Sequence, residues 1–319
     1  MKERKAYRLF VLICFFICVL FSSCSKDRTN HISKPSEADN PFNYYRISCI
    51  IPHKDDGSYW SVIVQGLEQG GKDFGFDVKI SYPSLNYSSA QMIDLIRMAI
   101  STKVNAIVVP GSEAKGFQEI LQYAVDKGIT VVLVDTDMEF FNAPLYIGSD
   151  NYHAGVIIGE QLAVLSARNA SIGVISGDKK YHNLEQRLEG VAAVCDKYKN
   201  MQIKAIEYDH FDYLRVQDSF QRYLKSPEID TIVCLEGTGG MAIKQIINSK
   251  PSIRIIAFDD TPEGLSLISS GFIDGLLVQQ KYKMGYKVME QLDKRNRTGR
   301  FTSSKILTDL RFLYANPEK

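Results

Sequence analysis

Two stretches of the chain decide its fold: VVLVDTD at residues 131–137 and IIAFDDT at residues 255–261. In each stretch, four apolar residues are followed directly by an aspartate, and the two stretches lie 124 residues apart (131 to 255). The same offset separates Gly66 from Gly190, and each of these glycines lies in an amphipathic helical pattern that follows a strand. Continuous apolar runs are typical of parallel strands covered by helices on both faces. The chain is therefore predicted to contain an α/β unit built twice.

Alternating strand and helix patterns continue along both halves of the chain, as an α/β unit built twice requires. The predicted strands are 46–52, 78–82, 106–109, 129–134, 172–175, 203–207, 231–235, 253–258 and 276–280. The pattern predicts two doubly wound parallel-sheet lobes. Parallel α/β sheets bind ligands at the carboxyl ends of their strands. Because Asp135 and Asp259 follow matching strands, we expect one polar ligand to be held from both sides.

Length and composition exclude several classes of protein. The 319 residues suffice for two ordinary domains, and the 45% apolar content is that of a globular chain. A net charge of +1 with 24% charged residues gives no indication of nucleic-acid binding.

The first 24 residues have the composition of an export signal. Four basic residues precede an apolar run at 9–21, which is 13 residues long and too short to span a membrane. Phe21-Ser22-Ser23-Cys24 then resembles the lipobox of bacterial lipoproteins, which implies cleavage before Cys24 and acylation of its thiol. Plain secretion, with Cys24 as a spare thiol, is the alternative. Residues 25–44 are polar, contain two prolines and are predicted to be a tether.

The cysteines of the predicted mature fold are interpreted as small apolar residues. Cys49 and Cys234 lie in apolar strand patterns and Cys195 lies in a helical one, and their spacing fits no zinc site. We therefore expect no disulfide framework and no metal site.

Several short motifs, taken in order, carry a resemblance to a known family. They are the crossover at 147–151 with Gly155 and Gly159, the RLEG segment at 187–190, FDDTP at 258–262, and Val278-Gln279 with Gly285. Together they resemble the ribose- and galactose-binding class of periplasmic proteins that serve ABC importers, whose fold is shared with the lac-repressor effector domain. The likeness extends from residue 46 to about residue 293.

The resemblance implies two lobes joined by a hinge of three crossings, the type I periplasmic binding protein architecture. The first lobe would be 45–148 plus 281–299, and the second would be 149–280 plus 300–319. The crossings would lie near Ser149–Asp150, near Gln279–Gln280 and around Arg300.

The resemblance also implies roles for individual residues. Asp135 and Asp259 match carboxylates that accept sugar hydroxyl protons, and charge-assisted hydrogen bonds are about twice as strong as neutral ones. A helix cap is the alternative for Asp259, although Thr261 already supplies one. Asp137 can share the role of Asp135.

Three further polar residues are assigned to the site by the same comparison. Arg187 matches an arginine that donates to the sugar, with an ordinary solvated helix arginine as the alternative. Gln279 falls beside the hinge, where it can both donate and accept. Thr238 stands where relatives often have Asn or Asp.

Tyr59 and Trp60 occupy the positions of two aromatics that face the sugar in relatives. Aromatic faces suit polarised C–H groups. Core packing is the alternative for Trp60, the single tryptophan of the chain. The chain departs from the family before these residues, because DDGS at 55–58 replaces a common Asn-Pro. Lys54, Asp55 or Asp56 can supply the missing contact.

Two catalytic alternatives have local support. Gly237-x-Gly239-x-x-Ala242, with Asp259 22 residues after the first glycine, fits a dinucleotide fingerprint. Ser176-x-x-Lys179 has the spacing of a serine–lysine hydrolase, and paired carboxylates can cleave glycosides.

The prediction that combines these observations is an exported, lipid-anchored, monomeric binding protein without catalytic activity or cofactor. It would capture a monosaccharide or related polyol and deliver it to an ABC permease. Presentation of the sugar to a membrane sensor kinase or chemoreceptor is the alternative output.

Overall fold

The computed structural model describes residues 45–54, 57, 59–179 and 181–315, which belong to one compact unit. The predicted signal peptide, the tether at 25–44, Cys24 and the loop residues Asp55 and Asp56 lie outside the described residues. Within the described part, no helix combines the length and apolarity needed to cross a bilayer.

The first lobe is built on a six-stranded parallel sheet with the strand order β11-β5-β4-β3-β1-β2. Its elements are β1 (Arg46–Ile50), α1 (Trp60–Phe74), β2 (Asp77–Ser81), α2 (Ser89–Ser101), β3 (Ala106–Val109), α3 (Phe117–Asp126), β4 (Thr130–Asp135), β5 (Leu145–Ser149), α9 (Lys281–Thr298) and β11 (Lys305–Thr308).

The second lobe repeats the plan with the strand order β12-β10-β9-β8-β6-β7, in which only β12 is antiparallel to its neighbour. Its elements are α4 (Asn151–Leu165), β6 (Ala170–Ser176), α5 (His182–Cys195), β7 (Met201–Tyr208), α6 (Tyr213–Lys225), β8 (Thr231–Cys234), α7 (Gly237–Lys244), β9 (Arg254–Phe258), α8 (Pro262–Ser269), β10 (Gly275–Gln279) and β12 (Leu310–Tyr314).

The two stretches that decided the fold show why both sheets are covered on both faces. In β4, Val132 and Val134 enter one core cluster while Val131 and Leu133 enter another. In β9, alternate residues divide in the same way between two clusters of the second lobe. Side chains of a strand point alternately to opposite faces, so a continuous apolar run requires helices on both. The predicted fold class of two doubly wound lobes is confirmed.

The chain passes between the lobes at three places, and the third differs from the prediction. β5 ends at Ser149 before α4, and β10 ends at Gln279 before α9. After Gly299 ends α9 in a left-handed conformation (φ 77°), β11 still pairs with β5 of the first sheet. The crossing therefore lies at Asp309, between β11 and β12, and not around Arg300. Residues 305–308 belong to the first lobe because their pairing partner does.

The glycines with matching offsets lie at matching helix contacts. A Cβ on Gly66 in α1 would lie 2.2 Å from the backbone oxygen of Tyr282 in α9. A Cβ on Gly190 in α5 would lie 2.1 Å from the backbone oxygen of Tyr152 in α4. Each glycine thus lets two helix backbones touch, which fixes how the helix after a crossing packs on its lobe.

Gly66→Ala is expected to destabilise the protein by at least 1–3 kcal/mol, since overpacking at a backbone contact forces the helices apart. Helix propensity alone would give the opposite sign, a gain of about 1 kcal/mol. Gly240→Ala is the matched control, because a Cβ there meets nothing closer than 3.5 Å within a helix. Urea denaturation measures both. Equal midpoints for the two variants would contradict the close contact.

Candidate ligand-binding cleft

A cavity of about 660 Å³ lies between the lobes, at the carboxyl ends of both sheets. This volume is within the range of small-molecule sites. The first lobe contributes Tyr59, Trp60 and Asp135 to its wall, and the second contributes Arg187, Thr238 and Asp259. The structure therefore brings six of the seven predicted site residues to one cavity, and Gln279 lies directly behind them.

The two carboxylates occupy equivalent turns at the ends of equivalent strands. Asp135 ends β4, Asp259 follows β9, and both have a φ of 67° in the left-handed region. The two residues are 4% and 3% exposed. Left-handed backbone costs a non-glycine residue roughly 1–2 kcal/mol, and aspartate tolerates it better than most. The same strained turn thus delivers one carboxylate from each lobe to the cavity.

The helix-cap alternative for Asp259 is not what the structure shows. The Thr261 hydroxyl accepts the backbone N–H of Gly264 at 3.0 Å and caps α8. Asp137, in contrast, does not share the position of Asp135. Its carboxylate accepts the N–H of Met138 and lies 3.6 Å from the ammonium of Lys305.

Hydrogen bonds join the two lobes across the cavity floor. The Tyr59 hydroxyl donates to Asp135 Oδ1, and Thr136 donates to Asp135 Oδ2 at 2.7 Å. Gln279 Nε2 donates to Asp259 Oδ1 at 3.0 Å and to the Tyr59 hydroxyl at 3.1 Å. Gln279 therefore connects the two carboxylate positions through one tyrosine.

Arg187 is a buried structural cation as well as a wall residue. It is 2% exposed and donates to Asn151 Oδ1 at 2.9 Å, to the Leu235 carbonyl at 2.8 Å and to Gln279 Oε1 at 3.3 Å. Its guanidinium lies 3.9 Å from the ring centroid of Phe258. Since α5 begins at His182, Arg187 lies in the second turn of this helix, and the solvated-arginine alternative does not hold because the residue is buried.

Burial sets the protonation of the carboxylates. It raises the pKa of Asp259 to about 6, against the opposing effects of Lys281 and Arg187. It also raises the pKa of Asp135, which the Tyr59 hydrogen bond and Arg187 lower in part. Ionised carboxylates in this cavity are thus held at a free-energy cost that additional hydroxyl donors would reduce.

Tyr59 and Trp60 form an edge-to-face pair with centroids 5.3 Å apart. Trp60 is 5% exposed, packs in the core of the first lobe and donates from Nε1 to the Tyr87 hydroxyl at 3.3 Å. Trp60 is therefore a core residue that also presents an edge of its ring to the wall.

Tyr87, Phe211 and Asn183 are among the wall residues that were not predicted from the sequence. Tyr87 and Phe211 belong to different lobes and stack with centroids 4.7 Å apart at 12°. Asn183 is 7% exposed, and its Oδ1 has no hydrogen-bond partner among the described residues. Tyr87 and Phe211 follow the ends of edge strands β2 and β7, so the strand-end rule could have found them. Nothing local distinguishes Asn183.

The glycine fingerprint at Gly237 does not form a phosphate site. The Glu236 carboxylate caps α7 and accepts the backbone N–H groups of Thr238 at 2.7 Å and Gly239 at 3.0 Å. A dinucleotide pyrophosphate would need these donors. Because a buried carboxylate of the protein already holds them, the dinucleotide interpretation is disfavoured.

The hydrolase interpretation is also disfavoured. Ser176 is fully buried, and the ammonium of Lys179 lies 5.0 Å from the ring centroid of Tyr208. No group of three or more potential metal ligands occurs in the described ranges.

The family model for the periplasmic binding protein domain matches residues 47–296, most of the chain. The chain belongs to the periplasmic binding protein family. The resemblance found in the motifs is thereby confirmed.

Known proteins are similar to this chain over most of its length. The ribose import binding protein of Bacillus subtilis is 21% identical over 292 residues, which are 91% of this chain and 92% of that protein. A glucose-galactose binding protein from Geobacillus stearothermophilus aligns with a TM-score of 0.80 at 23% identity, over 86% of this chain and 99% of that one. A chain of the XylFII-LytSN complex aligns with a TM-score of 0.77 at 26% identity, over 85% of this chain and 98% of that one, and the separate XylFII molecule aligns with a TM-score of 0.77 at 25% identity, over 86% and 99%.

Proposed function

We propose that this periplasmic binding protein captures a monosaccharide or similar polyol between its lobes and delivers it to an ABC importer. The observation that carries the proposal is the pair of buried carboxylates, Asp135 and Asp259, presented by matching turns to one cavity. Similarity to ribose and glucose-galactose binding proteins supports the ligand class.

The chemistry of the wall suits a sugar. Ring hydroxyls donate to the two carboxylates, whose ionised forms are then stabilised despite burial. Arg187 and the unpartnered Oδ1 of Asn183 supply a donor and an acceptor from the second lobe. Tyr59 and Trp60 from one lobe and Phe211 from the other offer aromatic surface to C–H groups.

Binding would proceed by closure of the lobes about the three crossings. The Gln279–Tyr59 hydrogen bond and the Tyr87–Phe211 stack both join residues of different lobes, so they form only when the lobes approach. The ligand would be enclosed and not turned over. Release of chromophore from chromogenic glycosides would contradict this point.

Thermal-shift screening of the mature protein against monosaccharides, inositols and furanose signals, with NAD included, tests the proposal. A ligand at a thousand times its Kd stabilises the folded state by about 4 kcal/mol, which corresponds to a rise in Tm of roughly 8 °C or more. We expect such a shift for at least one sugar. A shift with NAD alone would instead favour an enzyme.

A sensor output is the second candidate, because the similar protein XylFII occurs in a complex with LytSN. In that case the closed lobes would be read by the extracellular part of a membrane sensor. Affinity capture with the sugar-loaded protein distinguishes the two, since it recovers either a permease or a sensor kinase.

We further propose that the exported chain is anchored by lipid on Cys24. The apolar run at 9–21 and the small residues before Cys24 support this proposal. Labelling of cells with an alkyne analogue of palmitate should mark the wild-type protein, and Cys24→Ser should lose the mark. An unlabelled wild-type chain would indicate plain secretion.

A further inference from the structure

A second concavity, of about 750 Å³, lies at the pole of the first lobe opposite the cleft. The strand β4 connects the two regions: Thr130 at its start lines this concavity and Asp135 at its end lines the cleft. Six residues of strand span about 17 Å. The two openings therefore face opposite ends of the same sheet.

The concavity is lined by cations and by no carboxylate among its described lining residues. Lys103, Lys127 and Arg295 contribute the charges. Arg46 adds a fourth at its border, where Nη2 donates to the Lys103 carbonyl at 2.8 Å. The chain as a whole has a net charge of only +1, so these cations form a local concentration of positive charge.

Helix capping explains part of this arrangement but not all of it. Lys127 is the C-cap of α3, Lys103 follows the C-cap of α2, and Arg295 lies in the last turn of α9. A cation at each helix end complements its dipole. The helix dipole alone does not require the cations of three helix ends to line the same concavity.

The chain enters the fold at the same pole. Tyr45, the first residue of the described fold, lines the concavity. Twenty residues, 25–44, separate it from Cys24, a contour length of at most about 70 Å. A lipid on Cys24 would keep this pole within reach of the membrane, so that even weak attraction could orient the protein.

We propose that this basic pole, defined by Arg46, Lys103, Lys127 and Arg295, rests on the anionic phospholipid headgroups of the membrane that holds the anchor. The inference rests on the proposed lipid anchor. It directs the cleft away from that membrane, so the importer or sensor that receives the sugar would lie in a facing membrane and not beside the anchor. Each cation near an anionic surface contributes about fivefold to the preference for this orientation.

Site-specific quenching in vesicles tests the orientation. The acylated full chain is labelled at Ser101→Cys in the concavity or at Ser84→Cys, two residues before Asn86 of the cleft wall. Cys49, Cys195 and Cys234 are buried and do not compete for the label. In phosphatidylglycerol vesicles, nitroxide headgroup lipids should quench the Ser101→Cys label several-fold more strongly than the Ser84→Cys label. The difference should vanish in phosphatidylcholine or at 1 M salt, where screening extends to about 3 Å.

The double variant Lys103→Glu/Lys127→Glu should lower the ratio of oriented to unoriented molecules by about 25-fold or more. Both side chains are exposed, and so are those of the matched control, Lys199→Glu/Lys225→Glu on the second lobe, which should behave as wild type. Equal quenching at both labels, or quenching independent of lipid charge, would overturn the proposal. So would a preference that appears only after a protein partner is added.

The proposed anchor and the proposed role of the basic pole can be tested independently of each other. A chain that does not float with vesicles at 1 M salt lacks the anchor. In that event, flotation with anionic vesicles at low salt, reduced in the double variant, still supports the basic pole. Absence of flotation at low salt overturns it.

Discussion

Asp259→Asn is expected to raise the Kd for the sugar at least about 100-fold, or about 3 kcal/mol. Loss of one partner of a buried, charged hydrogen bond typically costs 2–5 kcal/mol. Asparagine tolerates the left-handed backbone at φ 67° and still accepts from Gln279, so the fold and the local geometry are retained. Isothermal titration calorimetry with the sugar found by screening gives the Kd.

Asp137→Asn is the matched control for this result. It removes a carboxylate two residues beyond Asp135 that is paired with Lys305 outside the cavity wall. We expect its Kd to equal that of the wild type. An unchanged Kd for Asp259→Asn would remove Asp259 from the site, and equal losses in both variants would point to a general effect of charge.

Asp259→Asn should also stabilise the unliganded protein at neutral pH. The pKa of Asp259 is raised from 3.8 to about 6, so the folded state binds more protons than the unfolded state between these values. Stability is therefore lost as the pH rises through this window, by about 3 kcal/mol. Asp259→Asn should be more stable than wild type at pH 8 and lose this advantage below pH 4, as measured by urea denaturation.

Arg187→Met is expected both to abolish sugar binding and to reduce stability by about 3–5 kcal/mol. Removing one member of a buried charged network leaves the remaining partners uncompensated. Here these are the Leu235 carbonyl, Gln279 and the two carboxylates, whose pKa values Arg187 lowers. Denaturation midpoints and calorimetry together measure the two effects.

Arg215→Met on the exposed surface of α6 serves as the control and should leave both quantities unchanged. Lost binding with a wild-type midpoint would mean that Arg187 serves only the ligand. Wild-type binding in a destabilised protein would mean that it serves only the fold.

The strands and the carboxylate positions could be predicted because their causes are local. The apolar run at 131–134 must lie between two helical layers, and the acid after it must lie at the carboxyl end of the sheet. The offset between Gly66 and Gly190 was visible as well, although its cause, contact of two helix backbones, appeared only in three dimensions.

The remaining features depend on contacts between distant segments. The third crossing lies at Asp309 because β11 pairs with β5, more than 150 residues earlier in the chain. The Tyr87–Phe211 stack joins loops 124 residues apart (87 to 211); both residues follow the ends of edge strands, but their contact with each other appears only in three dimensions. The sequence did not reveal the role of Glu236 as a helix cap, because the glycine spacing around it fits a nucleotide site equally well.

A crystal structure with the sugar selected by screening tests the central claim most directly. We predict one sugar molecule in the cavity between the lobes, with its hydroxyl groups within hydrogen-bonding distance of both Asp135 and Asp259. A sugar bound to one lobe alone, or at a surface away from these two carboxylates, would contradict the account.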